Sequence, residues 1–173
     1  FVYGKKPNQF FKDTLETLLL QESKILLAAE GEGRNAVYAA KKGYSALAYD
    51  ISVEGKRKAL KYAQEENVSI DYHVGDLSKL PLNKERVDAA AFIFAHFPPP
   101  VRKQHHELVS QMIKPGGFII LEGFSVSNLE IRLKNPKIGG PDKKEMLFTQ
   151  ELIKEDFKDF EVILLEERET QLN

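Results

Sequence analysis

The chain has 173 residues, and its 25 basic and 26 acidic side chains leave a formal net charge of −1. No apolar run approaches the ~18 residues of a membrane span, and the absence of cysteine excludes disulfides and thiolate metal sites. The near-neutral charge disfavours a nucleic-acid-binding protein that works by bulk charge. We therefore expect one soluble cytoplasmic domain over residues 1–173, with no signal peptide.

Helix-like and strand-like patterns alternate along the chain. Helical spacing of apolar residues predicts a first helix over residues 10–20. Strands are predicted over residues 24–29, 44–49, 69–74, 87–94, 118–124 and 160–165. Further helices are predicted over residues 34–42, 52–67, 98–113 and 149–156, with Ser52 as an N-cap. Residues 134–144 read as a polar loop.

This alternation predicts an α/β fold: a doubly wound, Rossmann-like, mostly parallel sheet with helices on both faces. Such sheets bind ligands outside the carboxyl ends of their strands, where the strand order reverses. The loops that follow the predicted strands are therefore the places to look for a site.

The loop after the first strand is rich in glycine. It contains Gly31, Gly33 and Ala36 at the spacing Gly-x-Gly-x-x-Ala. Glycine permits a close backbone approach to a ligand, and the next helix begins with free N–H groups. Asp50, at the end of the second strand, follows Gly31 by about the 20 residues at which an acid meets a ribose. The alternatives are a turn that merely needs glycine and an aspartate that caps a helix.

Two further loops carry polar side chains. After the third strand, the Asp76 carboxylate beside Leu77 can bind an amino group and pack on a flat ring, unless Asp76 serves only a turn. After the fourth strand, Ala95 and His96 precede three prolines. A histidine there titrates near neutrality, although it can equally be a structural histidine with its hydrogen bonds satisfied.

Four strings in order resemble the class I S-adenosylmethionine-dependent methyltransferases, in particular the small bacterial tellurite-resistance-like branch. They are AEGEGRNAVY at residues 29–38, YDIS at 49–52, FAHFPP at 94–99 and KPGGF at 114–118. The resemblance covers nearly the whole chain from Tyr3-Gly4 onward and implies S-adenosylmethionine as the cofactor. It also implies three regions: an N-terminal helix and lid (1–22), a cofactor-binding core (24–124), and a substrate-side loop with a C-terminal helix and strand (125–173).

The resemblance also implies roles for individual residues. The cofactor-binding residues would be Glu30, Gly31, Gly33, Asn35, Asp50, Ile51, Asp76, Leu77 and Ala95. Among these, Asp50 would take the ribose hydroxyls and Ile51 would lie against the adenine. His96 is the first candidate for a general base and Glu122 the second, while Tyr3 and Phe10 would close over the site.

The chain departs from the family pattern at two places. Many members carry an acid near the end of the first strand, where this chain has Leu27, and Glu30 is the nearest replacement. Members also continue into an antiparallel strand beside the fifth strand. We therefore expect the C-terminal strand to be missing from this sheet, so that the natural chain continues or a second subunit covers the edge.

The reaction implied is in-line methyl transfer to a small-molecule acceptor, with a base needed only if the nucleophile loses a proton. Two alternatives remain: an NAD(P)-dependent oxidoreductase, whose fingerprint the glycine turn and Asp50 nearly satisfy, and a non-catalytic cofactor-binding module. We expect no metal, nucleic-acid or membrane partner, and a monomer or homodimer. The run His105-His106-Glu107 is expected at a helix surface, because adjacent residues point to different sides.

Overall fold

The computed structural model describes residues 1, 4–82, 84–135 and 137–170. The strands are β1 (Lys24–Ala28), β2 (Ser45–Asp50), β3 (Asp71–Val74), β4 (Val87–Ile93) and β5 (Ile113–Glu122). The helices are α1 (Gln9–Leu18), α2 (Arg34–Lys41), α3 (Val53–Glu65), α4 (Pro99–Met112), α5 (Asn128–Lys134) and α6 (Gln150–Asp156). Short 3-10 helices cover Leu77–Lys79 and Lys144–Met146.

The five strands form one parallel sheet in the order β3-β2-β1-β4-β5. The chain steps one way from β1 to β3 and the opposite way from β4 to β5, so the strand order reverses between β1 and β4. Right-handed crossovers then place α2 and α3 on one face of the sheet. The predicted doubly wound α/β fold is confirmed.

The chain forms two compact units. The first contains Phe1–Ala95 and Leu108–Glu122, and therefore the whole sheet with α1, α2 and α3. The second contains His96–Glu107 and the chain from Gly123 onward, with α5 and α6. The three functional regions expected from the sequence remain a prediction.

Side-chain caps explain where several helices begin. The Ser52 hydroxyl accepts a hydrogen bond from the Gly55 N–H at 2.9 Å, which confirms the predicted N-cap of α3. Thr149 caps α6 in the same way through the Leu152 N–H at 3.1 Å. Each cap satisfies a backbone donor that the first turn of a helix leaves without a partner.

In the first unit, the core lies between the sheet and the helices α1, α2 and α3. Phe11 and Leu15 of α1 and Val37 of α2 are fully buried there, together with Ile25 and Leu27 of β1. In parallel strands paired residues share a face, so Ala91 and Ile120, which are paired across β4 and β5, belong to the same core.

Close contact between α2 and α3 depends on one glycine. Gly33 has φ +88°, and a Cβ at that position would lie 2.5 Å from the Cβ of Ala59 in α3. That separation is far below van der Waals contact, so α3 could not approach this closely if residue 33 carried a side chain.

Two sequence-based assignments need correction. The strand predicted over residues 160–165 is wrong: this segment pairs with no described strand, and Val162, Ile163 and Leu164 are 54%, 70% and 61% exposed. A strand needs a hydrogen-bonding neighbour, which its local pattern cannot supply. The loop predicted over residues 134–144 is shorter at both ends, because Lys134 is the last residue of α5 and Lys144 is the first residue of a 3-10 helix.

Within the described ranges, no helix is both long enough and apolar enough to cross a membrane.

We predict that Gly33→Ala destabilises the protein more than Gly43→Ala does. Both glycines have φ +88°, but a Cβ at residue 43 would meet no atom within 4 Å. The control substitution should cost about 1–2 kcal/mol for the left-handed backbone, and Gly33→Ala a further 1–3 kcal/mol, roughly, for the overlap with Ala59. Denaturant unfolding measures both, and equal losses would contradict the packing role.

Candidate active site

The carboxyl ends of β1 and β4 meet where the strand order reverses. Each strand is followed by a residue in the left-handed region, Ala29 with φ +51° and Phe94 with φ +55°. Non-glycine residues adopt this conformation at a cost, and such residues concentrate at functional sites. The crevice predicted by the topology therefore coincides with local backbone strain.

The glycine turn after β1 is held by its neighbours through Gly31. The Gly31 N–H donates to Oδ2 of Asp50 at 3.0 Å, and the Tyr72 hydroxyl donates to the Gly31 carbonyl at 2.6 Å. Gly31 has φ +63°, and a Cβ there would meet no atom within 4 Å. The turn is thus fixed on one side and open on the other, which leaves a cradle beside its backbone.

The Glu30 carboxylate lies at the N-terminus of α2. Its Oε1 accepts from the N–H groups of Asn35 and Ala36, both at 2.8 Å. The Asn35 side chain in turn accepts from the Asn8 N–H at 2.9 Å, which ties the N-terminal segment to this turn. Burial raises the pKa of Glu30 to about 7, although the two N–H bonds act in the opposite direction.

Asp50 lies at the end of β2 with both carboxylate oxygens facing backbone donors. Oδ2 accepts from Gly31, and Oδ1 accepts from the Ser52 N–H at 2.8 Å. A carboxylate offers about four acceptor sites in all, so Asp50 keeps capacity for further donors. The next side chain, Ile51, is 80% exposed.

The loop after β3 is less open than the sequence suggested. Oδ1 of Asp76 accepts from the Ser78 N–H at 2.9 Å and from its hydroxyl at 2.8 Å, which caps the 3-10 helix. Leu77 is buried, with 5% of its surface exposed. In this structure Leu77 therefore belongs to the interior.

Ala95 lies two residues beyond the end of β4, and Glu122 is the last residue of β5. Ala95 is buried. Glu122 pairs with Ile93 across the sheet, and it shares a face with Ile120 because it lies two residues further along β5. Its Oε2 is buried and has no hydrogen-bond partner among the described residues.

His96 belongs to the second unit, where both ring nitrogens are engaged. Nδ1 lies 2.8 Å from the Met146 carbonyl and therefore donates, and Nε2 accepts from the Phe124 N–H at 2.9 Å. Burial lowers the pKa of His96, although the Met146 bond acts in the opposite direction. The ring is held neutral, and its Nε2 lone pair is occupied.

The second unit also contains a buried ionic cluster. Oδ2 of Asp156 accepts hydrogen bonds from Nε of Arg102 at 2.9 Å and from Nδ1 of His106 at 2.7 Å. His105 and His106 are 4% and 1% exposed. The expected surface location is therefore wrong for the two histidines, because His106 bonds to Asp156 of α6 and the His105 ring lies against Phe97. Glu107 is exposed as expected.

Of the two residues expected to close over the site, Phe10 is partly buried against the core of the first unit. Tyr3 lies outside the described residues.

Sequence reasoning missed two residues that shape the turn. A Cβ on Gly55 of α3 would lie 2.7 Å from the Gly31 carbonyl oxygen. A glycine inside a helical pattern was the available signal, since it usually marks close packing. Tyr72 gave no local signal, because its partner Gly31 is 41 residues away in sequence.

A parallel sheet with a glycine turn after β1 and an acid at the end of β2 is the arrangement in which Rossmann-like sheets bind nucleotide cofactors. A family model described as "Methyltransferase domain" matches residues 25–117, more than half of the chain. The chain belongs to this family: it is a class I S-adenosylmethionine-dependent methyltransferase, and S-adenosylmethionine is its cofactor. The resemblance to methyltransferases found in the sequence is confirmed.

Solved structures share the fold at low identity. The PH0226 protein from Pyrococcus horikoshii OT3 is 24% identical, with a TM-score of 0.70, over 92% of this chain and 85% of that one. A SAM-dependent methyltransferase from Methanosarcina mazei is 22% identical, with a TM-score of 0.69, over 84% and 82%. TehB from Haemophilus influenzae is 18% identical, with a TM-score of 0.73, over 93% of this chain and 53% of its own. No curated protein sequence matches the chain.

We predict that Glu30 makes the protein less stable as the pH rises from about 6.5 to about 8. The folded state holds a proton on Glu30 up to a pKa of about 7, against 4.5 for the ordinary group, so it binds more protons than the unfolded state. The free energy of unfolding should fall by about 1 kcal/mol over this range relative to Glu30→Gln. Burial lowers the pKa of His106 to about 4, so this group opposes the trend near pH 6.5, but it does so equally in Glu30→Gln, and the comparison with that variant removes its contribution. Parallel slopes for the wild type and the variant would contradict the prediction.

Proposed function

We propose that the protein transfers a methyl group in line from S-adenosylmethionine to a small-molecule acceptor, with the cofactor in the cradle beside Gly31. The observation that carries this proposal is the bond between the Gly31 N–H and Asp50. It aligns the open glycine turn, which follows β1 beside the reversal of strand order, with the carboxylate at the end of β2.

The residues around the cradle fit this cofactor. Asp50 keeps acceptor capacity for the two ribose hydroxyls. The exposed side chain of Ile51 offers an apolar surface on which adenine can lie. When bound, S-adenosylmethionine supplies an activated methyl group on its sulfonium.

The protein's own contribution is alignment, exclusion of water and, for a protonated nucleophile, removal of a proton. Alignment alone can supply several kcal/mol, up to about 7–11 in favourable cases. Proton removal requires an acceptor atom with a free lone pair close to the nucleophile.

Glu122 meets this requirement better than His96 does. Its Oε2 is buried without a partner among the described residues, and an unsatisfied buried acceptor is costly. An acceptor molecule carrying an N–H or O–H group would satisfy it. To act as a base, His96 would first have to give up the Phe124 N–H at its Nε2.

Two measurements test the function. Calorimetric titration with S-adenosylhomocysteine tests the cofactor site. Release of S-adenosylhomocysteine from S-adenosylmethionine, followed over thiol, selenium, tellurium, amine and hydroxyl acceptors, identifies the acceptor class. Cofactor binding without turnover on any acceptor would favour the non-catalytic alternative.

We predict that Asp50→Ala lowers cofactor affinity at least tenfold. The change removes charge-assisted hydrogen bonds to the ribose worth about 1.5–3 kcal/mol each. Asp71→Asn, which alters an exposed carboxylate at the start of β3, is the control and should bind as the wild type does. Unchanged affinity of Asp50→Ala by calorimetry would remove Asp50 from the cofactor site.

We also predict that Glu122→Gln lowers turnover of a protonated acceptor by about 100-fold, in line with loss of a general base, and leaves cofactor affinity unchanged. His96→Ala should reduce turnover less, because the structure commits both of its nitrogens to the backbone. Steady-state rates and calorimetry separate the two effects. If His96→Ala proves the more damaging for turnover at equal cofactor affinity, the base is His96.

A further inference from the structure

The N-terminus of α2 has no side-chain cap from its own N-cap residue. That residue is Gly33, which is in the left-handed conformation and has no side chain with which to cap the helix. Two donors of the first turn are satisfied by Glu30 instead, whose Oε1 accepts from the backbone N–H groups of Asn35 and Ala36, both at 2.8 Å. The chain thus supplies its own anion to the start of α2.

In related glycine-turn sheets this position serves a ligand. A helix N-terminus attracts anions because its free N–H groups and dipole are positive. In dinucleotide-binding folds the pyrophosphate lies there, and the glycines allow it to approach. A phosphate at this helix N-terminus would compete for its N–H groups, and Glu30 already holds those of Asn35 and Ala36.

We propose that Glu30 determines which adenosine cofactor the protein accepts: its carboxylate occupies the anion position at the α2 N-terminus and so rejects a pyrophosphate there. A cofactor without phosphate groups meets no such conflict. The identity of the accepted cofactor rests on the proposed function, whereas the rejection of pyrophosphate rests on the Glu30 contacts alone.

The charged groups around Glu30 support the rejection. Asp50 on β2 faces the same turn through Gly31 and adds a second negative charge. Tyr72 on β3 has its pKa raised by burial and by the charges of Asp50 and Glu30. Arg34 on α2 is the opposing positive charge, and it favours the ionised form of Glu30.

The test compares NAD with adenosine, which share the adenosine part and differ in the pyrophosphate. Ligand-observed NMR titrations at pH 8, above the pKa of Glu30, give both affinities. The NAD-to-adenosine ratio is the dissociation constant for NAD divided by that for adenosine, and it should be at least ten in the wild type. Glu30→Gln should lower this ratio by about tenfold or more, as expected when a charged hydrogen-bonding group is lost. Glu32→Gln is the matched control, because Glu32 lies in the same turn but pairs with Lys58 at 2.5 Å. It should keep the wild-type ratio.

A second measurement needs no substitution. Lowering the pH from 8 to 6 protonates Glu30, while the pyrophosphate diester of NAD keeps its charge, so the ratio should shrink in the wild type and stay constant in Glu30→Gln. The inference is overturned if folded Glu30→Gln has the same ratio as the wild type. It is also overturned if the wild-type ratio does not change between pH 8 and pH 6. Failure of adenosine itself to bind also overturns it.

S-adenosylhomocysteine, titrated in parallel, keeps the two proposals apart. If the wild type does not bind it, the proposed function fails, while the NAD-to-adenosine ratio still tests Glu30. If the wild type binds it and the ratio does not respond to Glu30, only the present inference fails.

Discussion

The turn after β1 depends on contacts so close that only glycine permits them. Gly33 approaches Ala59, and Gly55 approaches the Gly31 carbonyl, in each case leaving less than 3 Å for a Cβ. These contacts bring α3 against the turn from the side opposite the cradle. Because the turn is fixed, the Gly31 N–H points steadily at Asp50, and the carboxyl ends of β1 and β2 act as one surface.

Electrostatics at this surface are arranged differently from the family pattern. Leu27, at the place where many members carry an acid, is 1% exposed and belongs to the core. The negative charge comes three residues later, at Glu30, where it caps α2 rather than standing free in the crevice. Displacement of the acid along the chain therefore changes what it does: it stabilises the start of a helix and brings an ionisable group into the turn.

The second unit shows how far local sequence can mislead about histidines. His96 looks like a free base between a strand and three prolines, yet its partners are the backbones of Phe124 and Met146, 28 and 50 residues away. His106 looks like a surface residue, yet it is buried against Asp156, 50 residues further on. Hydrogen bonds over such separations are set by how distant segments pack, and no local pattern encodes them.

The sequence by itself determined the order of β1–β5 and of the helices apart from α5, the parallel sheet, the glycine turn and the position of Asp50, since each depends on local periodicity, on capping or on handedness. It also determined the family, because the motifs lie along one stretch of chain. Only the tertiary structure decided that Glu30 caps α2, that Oε2 of Glu122 has no partner among the described residues, and that residues 160–165 form no strand. The physical reason is common to all three. Burial and hydrogen bonding depend on which two segments pack together, and the residues of one segment do not determine which other segment packs against it.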